Sequence, residues 1–370
     1  MTRVLITGGA GFIGSHTADI LVEDGFKVRI LDNLEPQAHS HLPSYLNDYV
    51  DFIRGNVCDS SIWIQALKDV EYVIHLAGVV GISQSMYQPA RYLRSNSLGT
   101  SIFYEVLLSR NDIRKKIEKV IVASSKTIYG EGSYICEKDN LVYPEIRSAE
   151  QLRNCNWEIP CPICGREIKP VGVMEDKPPQ NLSPYALSKY NVERLSLIYG
   201  DVLDLPTVAF RYFSAYGPRQ SLSNPYSGVC AIFISRMKNR KPPVIFEDGK
   251  QLRDFVYVND IAKVNLLALK KRSSNGCYNV GSGKPTSIKK LSAVLSGIMD
   301  YSGDKEIRNE YRVGDTRNDF ADISKIQRDF GFKPSWDLKN GLEELVKWSI
   351  GESAEDHFEE SLKGAEVFRR

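Results

Sequence analysis

The chain has 370 residues, 42% of them hydrophobic and 25% charged, enough to bury a sizeable core in a main domain and a smaller one. Its 48 basic and 46 acidic residues leave a formal charge of +2, which gives no general electrostatic reason to bind nucleic acid or an anionic membrane. Cysteines number seven, and Cys58, Cys230 and Cys277 stand singly in apolar or mixed surroundings, so a disulfide framework is not expected.

The first apolar run, "VLIT" at 4–7, is broken by glycines and is too short for a signal peptide or a membrane span, so a cytoplasmic location is expected. From there short β-branched runs recur: "RVLIT" (3–7), "KVRIL" (27–31), "VDFIR" (50–54), "EYVIHL" (71–76), "KVIVAS" (119–124) and "TVAFRY" (207–212) each read as a buried strand. Helical patterns over 12–24, 60–68, 88–110 and 184–200 separate most of them. This alternation predicts an α/β fold, a doubly wound parallel sheet with helices on both faces, over residues 1–213. After residue 214 the chain turns rich in Pro, Gly and Asn, as expected of a smaller C-terminal substrate domain over 214–350, some of whose segments return to the first domain. Residues 351–370 form a charged tail, expected to be a peripheral helix or partly disordered.

The first chemical motif, "TGGAGFIG", places Gly8, Gly11 and Gly14 between a predicted strand and a helix, with Phe12 and Ile13 opening that helix. Glycines there allow a tight turn, let backbone approach a pyrophosphate and aim the helix N-terminus at negative charge. The second strand ends at Asp32-Asn33, where a carboxylate can accept hydrogen bonds from ribose hydroxyls and would repel a 2′-phosphate. NAD is therefore expected rather than NADP, in a Rossmann-like domain.

The second motif, "SPYALSK", sets Tyr185 and Lys189 four apart on a helix opened by Ser183 as N-cap and Pro184 in the first turn. The phenol and the ammonium then share one face. A free tyrosine ionises near pH ~10, and a neighbouring ammonium and a cationic nicotinamide are expected to lower that value and make Tyr185 a general base.

With these motifs in place, the chain resembles the extended short-chain dehydrogenase/reductase family, within it the nucleotide-sugar epimerases and dehydratases, from about Arg3 to Trp348. The likeness includes "HLAG" (75–78), Asn96 in "SNSLGT", "SSKTIYG" (124–130), "RYFSAYGPRQ" (211–220), "RDFVYVNDIA" (253–262), "NVGSG" (279–283) and "GDTRND" (314–319). It implies a catalytic set of Ser125, Tyr185 and Lys189, in which Ser125 hydrogen-bonds the sugar hydroxyl and Lys189 also holds the nicotinamide ribose. It adds Asn56, Val57, Leu76, Ala77, Gly78 and Asn96 to the cofactor contacts, and Ser83, Lys126 and Asn224 to the substrate pocket. It assigns Arg253 and Arg317 to the diphosphate of a sugar nucleotide, a task that suits guanidinium forks. Two positions depart from the family pattern: Asn56 stands where an Asp is usual, and Ser214 replaces the Asn of "RYFN".

Dehydratases of this family carry an Asp-Glu pair after the catalytic Ser/Thr, and decarboxylating relatives a glutamate before "VYG"; here Lys126 and Thr127 occupy those places. The resemblance thus implies an NAD-dependent epimerase working through a transient 4-keto sugar, with a homodimer as the expected assembly. Two other readings remain: a nicotinamide-dependent nucleotide-sugar reductase and a non-catalytic dinucleotide sensor. Between Tyr129 and Tyr185 lies an excursion, about 134–177, with Cys136, Cys155, Cys161 and Cys164. "CPICG" (161–165) has metal-knuckle spacing, and Cys136 and Cys155 would complete a tetrahedral, structural zinc site; the alternative is free thiols on a polar loop. That excursion, with "QSLSNPYSGVCAIF" (220–233) and "IFEDGKQLRDFVYVND" (245–260), looks like the group of the family acting on dTDP-L-rhamnose to give dTDP-6-deoxy-L-talose. UDP-hexoses are the alternative substrates.

Overall fold

The computed structural model describes residues 2–39, 41–271, 274–312 and 314–364. Strands β1 (Arg3–Thr7), β2 (Lys27–Asp32), β3 (Asp51–Arg54), β4 (Tyr72–His75) and β5 (Lys119–Ser125) join Thr207–Tyr212 and Gly276–Val280 in a seven-stranded sheet. All neighbours pair in parallel, in the order Gly276–Val280, Thr207–Tyr212, β5, β4, β1, β2, β3. Both faces are buried, which is why the strands read as unbroken apolar runs: Val4 and Ile6 enter one core, Leu5 the other. Helix α1 (Phe12–Glu23) and the helix Val258–Lys270 cover the first face through Ala18, Leu21, Ile261 and Val264. Trp63, Phe103 and Val192, from three other helices, fill the second.

Strand order reverses at β1, with β2 on one side and β4 on the other, so a crevice opens at the carboxyl ends of β1 and β4. The helix expected over 88–110 is broken: a π turn at Leu93–Leu98 separates Pro89–Tyr92 from Gly99–Ser109. That turn carries Asn96, which is fully buried. The strand Gly276–Val280 comes from the second half of the chain and pairs with Thr207–Tyr212 at the sheet edge.

A smaller lobe is built on Leu252–Tyr257, flanked by Ser214–Tyr216, Pro285–Ser287 and Asn318–Asp319. Its core gathers Tyr216, Phe233, Ile245, Phe255, Leu291 and Leu342. The excursion after β5 is a three-stranded antiparallel sheet, Ser133–Cys136 between Asn140–Val142 and Lys169–Val171, over a small core of Tyr134, Val142, Ile159 and Ile168. Beyond Gly351 the chain forms a helix, Phe358–Gly364, packed on the smaller lobe; the rest of the predicted tail, 365–370, lies outside the described residues. Among the described residues no helix is long and apolar enough to cross a membrane.

Candidate active site

One cavity of about 610 Å³ runs from the β1 turn to the smaller lobe. At its first end, Gly8 adopts φ +68°, and a Cβ there would lie 2.8 Å from the Ala77 backbone. Gly14 is tighter still: its Cβ would sit 2.2 Å from the Gly8 carbonyl oxygen. α1 starts at Gly11 with no side chain capping it, so the first-turn N–H groups of Phe12, Ile13 and Gly14 are left to the cavity they line. This is a cradle for a pyrophosphate, made by close backbone approach. Asp32 also lines it, with one carboxylate oxygen accepting from Ala10 N–H (3.0 Å) and the other from Leu34 N–H (2.9 Å). Both oxygens keep lone pairs for ribose hydroxyls. Asn33, Asn56, Val57, Leu76, Ala77 and Gly78 also line the cavity. These residues fit a dinucleotide.

Asn96 does not line the cavity. From its buried π turn it holds the Gly78-Val79 segment in place, its Oδ1 accepting from Val79 N–H (2.9 Å) and its amide donating to Val79 O (3.2 Å) and Ser188 Oγ (2.8 Å). It shapes the cofactor wall from behind, because Gly78 packs directly against its Oδ1.

Tyr185 lies mid-cavity, on a helix started by Ser183, whose hydroxyl accepts from Ala186 N–H (3.1 Å), with Pro184 pre-set for the first turn. Lys189 is one turn further on and donates to Ala123 O at 2.9 Å, and burial pushes its ammonium down to about 8. Contrary to the expectation of a lowered value, the Tyr185 hydroxyl is pushed up by burial, with a hydrogen bond from Ser125 working against that shift. The cleft desolvates a phenolate more than the protein's own groups stabilise it. Ser125, at the end of β5, is steadied by Thr127, whose N–H and hydroxyl reach its Oγ at 3.2 and 3.0 Å.

Ser83, Lys126, Ser214 and Asn224 line the middle and far parts of the cavity, and Lys126 is ion-paired to Asp319. Arg253 lines the far part too, donating to Asp315 Oδ1 (2.8 Å) and to the Thr316 carbonyl (2.9 Å). Arg317 does not. Its buried guanidinium turns away to Asp248 (2.7 Å), Glu247 (3.0 Å) and the exposed Glu158 (2.5 Å), while its backbone N–H donates to Glu131 (2.7 Å). Arg312 also lines the cavity, stacked 4.2 Å over the Phe246 ring. Burial would raise the Asp315 carboxyl, yet the Arg253 and Arg312 charges beside it hold it below the ordinary value. Sequence reasoning missed Arg312 and Asp315 because "YRVGDTR" offers two arginines, and no local pattern says which faces inward.

In the excursion, Cys136, Asp139, Cys161 and Cys164 offer ligand atoms all within 4.8 Å of one another. Cys155, expected as a ligand, is exposed at the end of the short helix Ala149–Arg153 and falls outside this group. Asp139 takes its place, on the hairpin between two strands.

The glycine cradle and the Tyr-Lys helix, facing each other across one cavity at a sheet switch point, define a short-chain dehydrogenase/reductase. Residues 4–150 and 165–281 match the NAD dependent epimerase/dehydratase family, and the chain belongs to it. The dTDP-L-rhamnose 4-epimerase of Burkholderia thailandensis is 29% identical over 351 residues, covering 94% of each chain. A putative UDP-glucose 4-epimerase of Methanocaldococcus jannaschii is 33% identical over 347 residues, 93% of this chain and 97% of that one. The crystal structure of UDP-glucose 4-epimerase with UDP-glucose from Thermotoga maritima superimposes with a TM-score of 0.77 at 29% identity, covering 94% of this chain and 99% of that one.

Proposed function

We propose that the protein is an NAD-dependent nucleotide-sugar 4-epimerase, with dTDP-L-rhamnose and its 4-epimer, dTDP-6-deoxy-L-talose, as the first substrate pair to test and UDP-hexoses as the second. The observation that carries this reading is the single cavity with the dinucleotide cradle at one end, Ser125 and Tyr185 in the middle, and Arg253 with Arg312 at the other. Gly8, Gly11, Gly14, Asp32 and Lys189 would hold NAD, which when bound accepts and returns the hydride of the sugar C4. Tyr185 takes the proton of the 4-hydroxyl and gives it back, and Ser125 holds the same oxygen by hydrogen bonding. Arg253 and Arg312 grip the diphosphate while the sugar turns about its link to it, so either face of C4 can be presented. Lys126 is neutralised by Asp319 and Thr127 is committed to Ser125, so neither supplies an acid for elimination at C5 and C6.

The reading predicts that incubation with nucleotide sugars in deuterated water, followed by NMR, shows inversion at C4 with no deuterium at C5. Deuterium at C5 or a stable 4-keto-6-deoxy product would replace the epimerase with a dehydratase or a multi-centre epimerase. The carboxylate of Asp32 makes a second prediction. Asp32→Ala should weaken NAD about tenfold and shrink the preference for NAD over NADP, read as the two dissociation constants; an unchanged preference would place ribose recognition elsewhere.

We also propose that the excursion holds one structural zinc on Cys136, Asp139, Cys161 and Cys164. A tetrahedral zinc with Zn–S of about 2.3 Å and Zn–O of about 2.0 Å requires edges of about 3.8 Å between sulfurs and about 3.5 Å between sulfur and oxygen. Cys136 and Cys164 are 3.6 Å apart, and Asp139 Oδ2 lies 3.4 and 3.2 Å from Cys136 and Cys161. The metal takes no part in the chemistry.

A further inference from the structure

The charged segment after Gly351 does not simply lie on the surface. Glu355 N–H donates to Ser223 Oγ (3.0 Å), and Asp356 pairs with Lys241 (2.8 Å) and Arg236 (3.5 Å). Glu359 pairs with Arg308 (3.0 Å) and Arg236 (3.4 Å). These bonds strap the segment over the helix Val229–Lys238 and turn one face of its short helix inward. Phe358 and Leu362, one turn apart on that face, are buried against Val244 and Phe246. Phe358 is 3% exposed and still lines the cavity, with its ring centre 6.3 Å from that of Phe246 and the Arg236 guanidinium 4.8 Å over it.

The far end of the cavity is therefore an apolar, aromatic chamber of Phe233, Val244, Phe246, Ile288 and Phe358. Arg312 borders this chamber through its stack on Phe246 and, with Arg253, acts on the Asp315 carboxyl, so the two arginines stand close to one another at this end of the cavity. A nucleoside diphosphate whose phosphates meet Arg253 and Arg312 has its base on the far side of them from the sugar, and that places the planar ring among these side chains. We infer that the segment Glu355–Leu362 is the outer wall of the nucleoside pocket and that Phe358 is a specificity-determining residue that packs against the base. The inference rests on the nucleotide-sugar reading above. It gives the tail a function: its charges fasten it, and Phe358 reads the substrate.

Base-to-aromatic stacking is worth about 1–3 kcal/mol when removed by alanine, so a loss of about tenfold or more in affinity is expected. The test uses calorimetric binding of UDP and dTDP to the NAD-loaded protein, together with steady-state kinetics on whichever nucleotide sugar is turned over. Phe358→Ala, and separately a chain ending at Gly351, should weaken the better nucleoside diphosphate about tenfold and raise KM by a similar factor. NAD affinity should stay within twofold, and kcat should fall less than threefold. Phe358→Tyr, which keeps the ring, should recover most of the loss, and this recovery separates a base contact from a general loosening of the lobe. Binding by the wild type with less than a twofold change in both altered chains would overturn the inference and leave the epimerase reading intact. Failure of the wild type to bind any nucleoside diphosphate would overturn the reading on which it rests. A fall in NAD affinity as large as that in nucleotide affinity, without recovery in Phe358→Tyr, would assign the segment to stability alone.

Discussion

Tyr185→Phe is expected to lower kcat at least about a hundredfold while leaving NAD bound and the fold intact. The substitution removes one hydroxyl and nothing else: the ring keeps its edge-on packing on Tyr92, with centres 6.0 Å apart, and Lys189 keeps its bond to the Ala123 carbonyl. What is lost is the cavity-lining phenol beside Ser125, the group expected to exchange a proton with a sugar oxygen. Positioned proton transfer contributes about 10²–10⁴-fold to such reactions, which sets the size of the loss. Burial raises the hydroxyl, and a bound cation next to the ring would act in the opposite direction, toward the phenolate. Steady-state rates, with extracted nicotinamide as the control for cofactor retention, check this. More than a tenth of wild-type activity in the variant would assign the proton transfer to another group.

How far the sequence could be read depended on whether a residue's task is local. The glycine turn, Asp32 and the Tyr185-Lys189 pair are set by spacing within one turn or one strand end, and each stands where its motif puts it. The six strands read between residues 3 and 212 were equally legible, because a parallel sheet buried on both faces demands continuous apolar runs. Contacts made across the chain were not legible. The Arg317 guanidinium is turned out of the cavity by Glu158, Glu247 and Asp248, all of them far away in sequence, and Arg312 lines the cavity where Arg317 does not. Asn96 acts from behind the wall because a π turn rotates it inward, a deviation of backbone that no periodicity announces. Phe358 and Leu362 did carry a signal, the spacing of an apolar helix face, but it was hidden among the charges of "EDHFEESLK".

Replacing both cysteines of the 161–165 knuckle by serine is expected to release about one zinc per chain and to raise KM for the sugar nucleotide more than it lowers kcat. The proposed ligand set has a regularity that a search for thiols alone misses. Cys136-Glu137-Lys138-Asp139 repeats the spacing of Cys161-Pro162-Ile163-Cys164, so the donors form two knuckles, one on the hairpin between Ser133–Cys136 and Asn140–Val142 and one closed by Gly165 at φ +73°. The excursion's own core is small, and metal binding in such a module adds directly to its folding free energy. Its effect would reach the proposed substrate end of the cavity through two side chains. Arg147 makes paired bonds of 2.8 Å to Glu247, and Glu158 reaches Arg317 at 2.5 Å; Glu247 and Arg317 brace the loop that carries Asp315 and contacts Arg253. Loosening the excursion therefore loosens the diphosphate grip before it touches Tyr185, Ser125 or the NAD cradle, which is a KM effect in a positioning element. Asp139→Asn should weaken zinc retention, whereas Cys155→Ser should keep it, since Cys155 lies exposed outside the group. Metal analysis of the purified variants, paired with their kinetics, decides the matter: loss of zinc in Cys155→Ser would restore the thiol-only ligand set, and wild-type protein that is fully active without metal would reduce the excursion to a surface loop.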